Sequence, residues 1–478
     1  MKKTSLFFLL IFSFVLFVQG RSNAQLTGTK SIPGDYATIT AAITDLNTQG
    51  VGAGGVVFNV AAGYTETGVN VVLTCPTNPP SVSRPITFQK SGAGANPLLT
   101  AGVGVSTTTD GIWKLNGVSY VTIDGIDLQE NAGNVDPTTQ MEWGYALVKQ
   151  SGTLACQFTT IKNCTVTLNK ANTPSTGIYT GNHLATSTTG LTVTAFTGTA
   201  SYNKFYNNTV QNCYFGYQVQ GYASAAPYDL YDQFNEIGTV SGGRSQVLNF
   251  GGSTISAYGI YGIYQNNMKI FNTNINSTGG TNSTGTLNGI FTSTGANSNV
   301  DIYGDTVTVV SGATTSQLMG INNTFGATGA GNTVNIYNNV VINCSYPTAT
   351  TGEFRGINQG ATCAITNMYN NKVLTNTHTG TGAWSGIYIA GSSVTIMLQV
   401  NLYNNEVSGN TKSGTAGIMN CVYASSSNQV TNFYGNNIYN NSSSLSSGAV
   451  YGYYNFAVGY NENIYNNNVY NITGGTGE

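Results

Sequence analysis

Charge is scarce in this chain. Lysine and arginine number 16, aspartate and glutamate 18 and histidine 2 among 478 residues, so charged side chains make up 7%, against about 25% in an average globular protein. Setting aside Lys2, Lys3 and Arg21 in an N-terminal leader leaves 13 basic residues against 18 acidic ones, a net charge near −5. Such a chain has no basic footprint for nucleic acid and little attraction for anionic membranes or polyanions. The seven cysteines (Cys75, Cys156, Cys164, Cys213, Cys344, Cys363, Cys421) are odd in number and show no CxxC spacing. They are a poor disulfide framework and a poor zinc site. They read as small buried fillers, with a Cys156–Cys164 bridge left open in an oxidising compartment. No phosphate-binding glycine loop with lysine, HExxH, GxSxG or calcium-binding nonapeptide occurs, and no apolar run after the leader is long enough to span a bilayer.

What is present begins with that leader. Lys2 and Lys3 precede the apolar run Leu6 to Val18, and Ser22-Asn23-Ala24 offers a cleavage site before Gln25. This is the pattern of a secretory signal peptide over 1–24, which predicts a secreted, extracellular or cell-surface protein. Low charge with abundant Gly, Ser and Asn could mean disorder, but 40% hydrophobic and 11% aromatic residues suffice for a core.

Repetition is the strongest signal. The pattern apolar, aromatic, Asn/Gly, Asn/Asp, any, Val/Ile recurs as Phe205-Tyr206-Asn207-Asn208-Thr209-Val210, Ile270-Phe271-Asn272-Thr273-Asn274-Ile275 and Ile302-Tyr303-Gly304-Asp305-Thr306-Val307. It continues from Ile336, Met368, Leu402, Phe433 and Ile464, with weaker copies at Ile123 and Ile161. A second anchor lies upstream, as in Gly320-Ile321, Gly356-Ile357 and Gly386-Ile387, and the period is roughly 31 residues. Val334-Asn335-Ile336-Tyr337 alternates like a strand with one buried face. The Asn-Asn or Gly-Asn pair turns the chain, since both residues tolerate φ > 0. Such short strands bury a core only by stacking, ~4.8 Å apart. The reading is therefore an all-β, right-handed parallel β-helix of about ten coils, on the order of 50 Å long, with Asn amides hydrogen-bonding along the stack. A short N-terminal helix, capped by Asp35 and burying Ile39, Ala42, Ile43 and Leu46, should cover its first edge. Residues 25–110 form the cap and first coils, and 111–478 the repeats. With no cap visible before Glu478, either the last coil pairs with a partner or, the favoured reading, the chain is part of a longer surface protein.

The order Tyr36-Ala37-Thr38-Ile39-Thr40-Ala41-Ala42-Ile43, Gly54-Gly55-Val56-Val57, Gly63-Tyr64-Thr65-Glu66 resembles the N-terminal cap of pectin-lyase-like β-helix proteins. Val121-Thr122-Ile123-Asp124-Gly125 and the Asn-rich coils resemble later turns of bacterial secreted members. The resemblance spans nearly the whole mature chain and implies the scaffold. It leaves lyase, hydrolase, esterase and non-enzymatic surface roles open.

Twelve of the 18 acidic residues occur at or before Glu236, beside the longer inserts around 129–143, 181–202 and 218–233. Asp124, Asp127 and Glu130 with Glu142, Trp143 and Lys149 form one cluster, and Asp229, Asp232, Glu236 and Arg244 another. Each reads as a carboxylate pair for glycoside chemistry, a calcium site built from oxygen ligands, or solvated strand faces and loop caps. His183 and His378 lie in polar loops without an evident partner. In register, Asp124, Lys162, Tyr206, Phe271, Tyr303, Tyr337, Tyr369, Tyr403, Tyr434 and Tyr465 share one column, broken near Phe234 by Asn235. The charges in that column turn it outward, giving six coils of tyrosine: a glycan- or partner-binding stripe or a stack that holds register. Lys372 and Glu406 should pair across coils, contributing at most about 1 kcal/mol. The expected partner is a polysaccharide or cell-surface glycan, bound without a cofactor. The alternatives are a polysaccharide lyase or glycoside hydrolase with its site in the N-terminal half, or a passive surface spacer.

Overall fold

The protein, in a computed structural model that describes residues 25–279, 282–326, 331–391, 393–444, 447–456 and 460–474, is a parallel β-solenoid. The leader and Glu478 lie outside the described residues. Each coil contributes one strand to each of three long parallel sheets of 14, 13 and 12 strands, termed sheets 1, 2 and 3 in that order. That is about 13 coils, more than the ten expected. The N-terminal coils lack the Tyr-Asn-Asn signature and so escape a count based on it.

The first edge is closed by β1 (Leu26–Ile32), α1 (Ile39–Gln49) and β2 (Val51–Ala61). α1 buries Ile39, Ala42, Ile43 and Leu46, as expected. Its N-cap is Thr38, whose hydroxyl accepts the Ala41 N–H at 3.0 Å, and not Asp35. The Asp35 carboxylate instead accepts from the Ser31 N–H and hydroxyl. Glu66 supplies further caps, accepting the Ile39 N–H at 2.8 Å.

The register is that of the repeat. Tyr303, Tyr337, Tyr369, Tyr403, Tyr434 and Tyr465 are successive partners across sheet 1. Ile336, Met368 and Leu402, one residue earlier, are fully buried, each contributing about 1.5–3 kcal/mol. The two asparagines of the turn divide the work. Asn338, Asn370 and Asn404 take the left-handed conformation, with φ of 54 to 56°. The second residue of each pair is buried and builds an amide ladder. Asn371 Nδ2 donates to Ile336 O at 2.8 Å and to Asn405 Oδ1 at 3.1 Å, while its backbone N–H donates to the same Oδ1. A parallel ladder of Asn376, Asn410 and Asn441 runs through the turn between sheets 2 and 3. One rung is acidic. Asp305 occupies the ladder position, fully buried, accepting the Thr273 N–H at 2.8 Å. Burial pushes its carboxyl up to about 8, so it sits in the stack as a neutral isostere of asparagine.

Two other expectations are corrected. All seven cysteines are free and buried, so Cys156 and Cys164 form no bridge. Their thiols instead approach the carbonyls of Leu115 and Lys162. The aromatic column is interrupted by Gly238, not Asn235, because the strand Glu236–Gly238 sets the register there. A side chain at 238 would strike Phe271, whose ring leans edge-on toward Tyr206 across the gap.

Candidate functional site

The Gly-Ile anchors decide which side chains leave the wall of sheet 3. At Gly386 a Cβ would lie 2.5 Å from Cys421 O and 2.9 Å from a Val407 methyl of sheet 2, so only glycine fits. Ile387 then points into the core and the next residue, Tyr388, points out. Repeated coil by coil, this sets an outer row of Tyr261, Phe291, Asn322, Asn358, Tyr388, Tyr423 and Tyr454. A second row, from Tyr258 through Asn288, Arg355 and Asn420 to Tyr451, lies beside it in the same register. Neither row contains a carboxylate.

The centre of this face is an amide chain. Asn358 donates to Asn322 at 2.7 Å and Asn322 to Asn288 at 3.1 Å. Arg355 ends the chain, donating to Asn358 Oδ1 at 3.0 Å. Its guanidinium also pairs with Glu353 at 2.9 Å and lies 3.9 Å from the Tyr388 ring centre. Its charge is thus matched before any ligand arrives. Arg355 and Glu353 also line a cleft of about 320 Å³, together with Tyr388, Tyr423, Tyr454 and Phe456. These rings are splayed: Tyr388 and Tyr423 are 4.9 Å apart at 31°, and Tyr423 and Tyr454 5.4 Å apart at 40°. Tyr451 stacks on Tyr454 at 4.4 Å and 13°, so the splay is confined to the outer row.

The tyrosine ladder of sheet 1 differs. From Tyr303 to Tyr465 the rings are 4.8–5.0 Å apart and within 1–6° of parallel. Each internal ring has both faces covered by its neighbours and offers solvent an edge and a hydroxyl. Stacks of this kind contribute about 0.5–1.5 kcal/mol per pair beyond burial.

The carboxylates anticipated as a catalytic group are distributed over several surfaces. Asp124, on sheet 1, pairs with Lys162 at 3.0 Å. Asp127, on sheet 2, accepts from Asn96 and the Thr165 N–H, and burial raises its carboxyl. Glu130 faces a cleft of about 590 Å³; its two oxygens hold Asn134 Nδ2 and the Met141 N–H, folding the 129–143 insert. Glu142 is fully buried and accepts the Asp110 N–H at 2.9 Å. Desolvation raises it to about 7. Glu236 lies on sheet 1 with Tyr206 and with Lys269, 3.5 Å away. Asp229 is exposed in its loop, and Arg244 reaches the Gly304 carbonyl at 2.7 Å. Asp232 and Lys149 are wholly buried 4.0 Å apart. Desolvation raises the acid and lowers the base, outweighing their mutual attraction at that distance. Neither is solvated, although Asp232 does cap backbone, its Oδ1 accepting the Ala200 N–H at 2.8 Å. Among the described residues no three His, Cys, Asp or Glu side chains are grouped to hold a metal.

Both histidines have partners, contrary to the sequence reading. His183 is buried against Trp143 and meets the Tyr179 hydroxyl at 2.8 Å, and burial lowers its pKa. His378 is buried beside Gly352 O at 2.8 Å and lowered to about 4.

No family model and no curated protein matches the chain. Among solved structures it is similar to an alginate lyase from Paenibacillus sp. (12% identity, 86% of this chain and 95% of that one, TM-score 0.34). It is also similar to the tailspike protein of Escherichia coli bacteriophage HK620, solved with a pentasaccharide (12%, 88% and 76%, 0.37). A third is a mannuronan C-5 epimerase A-module from Azotobacter vinelandii (13%, 94% and 96%, 0.32). Likeness at this level says nothing about the chemistry of this chain.

Proposed function

We propose that this is an exported β-solenoid of the pectin-lyase-like kind that binds glycan along its wall without cleaving it. The outer face of sheet 3 carries the reading. It presents splayed tyrosines, an amide chain and one internally matched arginine over seven coils, on the order of 30 Å, and no carboxylate in either row. Tilted rings with polar tips suit the C–H faces of pyranoses, and amides suit their hydroxyls. The matched charge favours a neutral polymer, since a uronate would have to compete with Glu353 for Arg355. Glycoside hydrolysis asks instead for two carboxylates flanking one bond. The sheet 1 ladder enters the same reading only through its hydroxyl edges.

Affinity electrophoresis through gels holding xyloglucan, galactomannan or alginate tests this, with reducing-end release measured in parallel. The expected result is retardation by a neutral polymer without release, weakened at least about tenfold in Tyr388→Ala/Tyr423→Ala, the equivalent of roughly 1.4 kcal/mol. Tyr369→Ala/Tyr403→Ala should retain most of the binding, and its loss would move the site to sheet 1. Release of reducing ends by the purified protein would overturn the non-catalytic reading.

A further inference from the structure

A second aromatic column runs along the edge between sheets 3 and 1, and it is built against the local preference of the backbone. Tyr120, Phe158, Tyr202 and Phe234 stack at 4.8, 4.8 and 5.1 Å, within 4–11° of parallel. All four take left-handed φ of 53 to 61°. Bulky residues rarely adopt this conformation, and such strain gathers where the side chain is needed. The next coil shows the relaxed alternative: Asn267 holds the equivalent turn at φ 54°.

The column therefore stops at Phe234. One face of its ring lies on Tyr202, and the other borders a cleft of about 430 Å³ shared with Asn267, Lys269, Asn299, Asp301 and Asn335. Phe234 is 40% exposed, the largest apolar surface among these residues. Apart from the buried Met268 and Val300 and from Gly331, the rest of the lining is polar. Asn299 Nδ2 donates to Asn267 at 3.1 Å, and Asn335 Nδ2 donates to Asp301 Oδ1 at 2.8 Å. Asp301 Oδ2 has no hydrogen bond to a described residue, and Lys269 keeps a loose pairing with Glu236 at 3.5 Å.

We propose that this cleft is a separate monosaccharide-binding site. A pyranose places its C–H face on the free face of Phe234 and its ring hydroxyls against Asp301 and Asn299. One flat apolar floor with acceptors and donors at the rim matches a sugar ring, which is apolar on its face and hydroxylated at its edge. A wholly apolar ligand would desolvate Lys269 and leave Asp301 Oδ2 without a hydrogen-bond donor. The inference shares its ligand class with the reading of sheet 3 but not its residues.

The test is saturation-transfer NMR on the full chain with the methyl pyranosides of glucose, galactose and mannose, one at a time. At least one probe should receive saturation at its ring C–H protons. Phe234→Asn, which installs the residue the next coil already uses, should abolish the signal and leave the unfolding temperature unchanged or higher. Asp301→Asn should keep the fold and weaken the dissociation constant by about tenfold, so it carries the test if Phe234→Asn fails to fold. Every arm is run in the Tyr388→Ala/Tyr423→Ala background, so that the face of sheet 3 contributes no saturation. Absence of saturation from every probe in that background, or its persistence after Phe234→Asn or undiminished after Asp301→Asn, overturns the site. Saturation that appears only with Tyr388 and Tyr423 intact also overturns it and leaves the sheet 3 reading standing.

Discussion

The coils before and after Tyr303 solve the same stacking problem with different materials. The later coils repeat one solution: a left-handed Asn or Gly, a buried Asn and a parallel tyrosine. The amides of those turns are satisfied by the identical group one coil away. The earlier coils are individual. They carry long inserts and aromatic residues in left-handed turns. They also bury Lys149 and Asp232, neither of which achieves full pairing: Lys149 Nζ and Asp232 Oδ2 are buried without hydrogen-bond partners. Regularity is what makes a buried amide inexpensive. A ladder of identical rungs gives every donor an acceptor at the same spacing, whereas a unique coil must find a unique partner.

That contrast can be broken most directly at the buried pair. Lys149→Met should destabilise the protein by about 3 kcal/mol or more, because a buried carboxyl loses its cation. Adding Asp232→Leu should recover most of the loss in a denaturant titration. A loss no larger than that of an exposed pair would mean these early coils relax around the change, and the contrast between the halves would fade.

Asp305 sits at the junction, an acid in an asparagine's place. Its carboxyl titrates at about 8 in the fold, against 3.8 for an ordinary aspartate. Below about pH 4 both folded and unfolded chains hold the proton, and its stability contribution is complete. Between about pH 4 and 8 only the unfolded chain releases it, so stability declines by up to ~1.4 kcal/mol per pH unit and then levels off. Asp305→Asn should therefore stabilise the protein by on the order of 3 kcal/mol at pH 7, with the gain vanishing near pH 4. An equal gain at both pH values would show that the acid is not held neutral.

Within the regular half, Asn405→Ala should cost about 2 kcal/mol, since the Asn371 N–H and amide both lose their acceptor. Neutral behaviour in thermal melts would demote the ladder to a by-product of stacking. The smallest effect belongs to Lys372 and Glu406, which pair at 3.2 Å at the surface as expected. Lys372→Met should change stability by less than about 1 kcal/mol, and less still in high salt.

The regular half was legible because its repeat is explicit. Once Tyr403 and Tyr434 are placed in register, the neighbouring Leu402 and Phe433 must face inward. The ion pair between adjacent coils follows from the same register. The early coils were not legible in this way. Nothing near Lys149 or Asp232 signals burial, which is imposed by chain from distant coils and by the inserts. The role of the Gly-Ile anchors was also hidden. The glycine is required because a valine methyl from sheet 2 occupies the space of its Cβ, and that makes Tyr388 and Tyr423 outward residues on a face the sequence did not single out.

By itself the sequence determined the solenoid, its rung-by-rung register from Tyr303 onward and its paucity of charge, because a periodic chain of short strands can bury a core in few other ways. Only the tertiary structure decided which aromatic rings stack in parallel and which splay. The tilt between neighbouring rings and the coil at which a stack ends depend on backbone twist and on inserts packing from elsewhere. A one-dimensional repeat records neither.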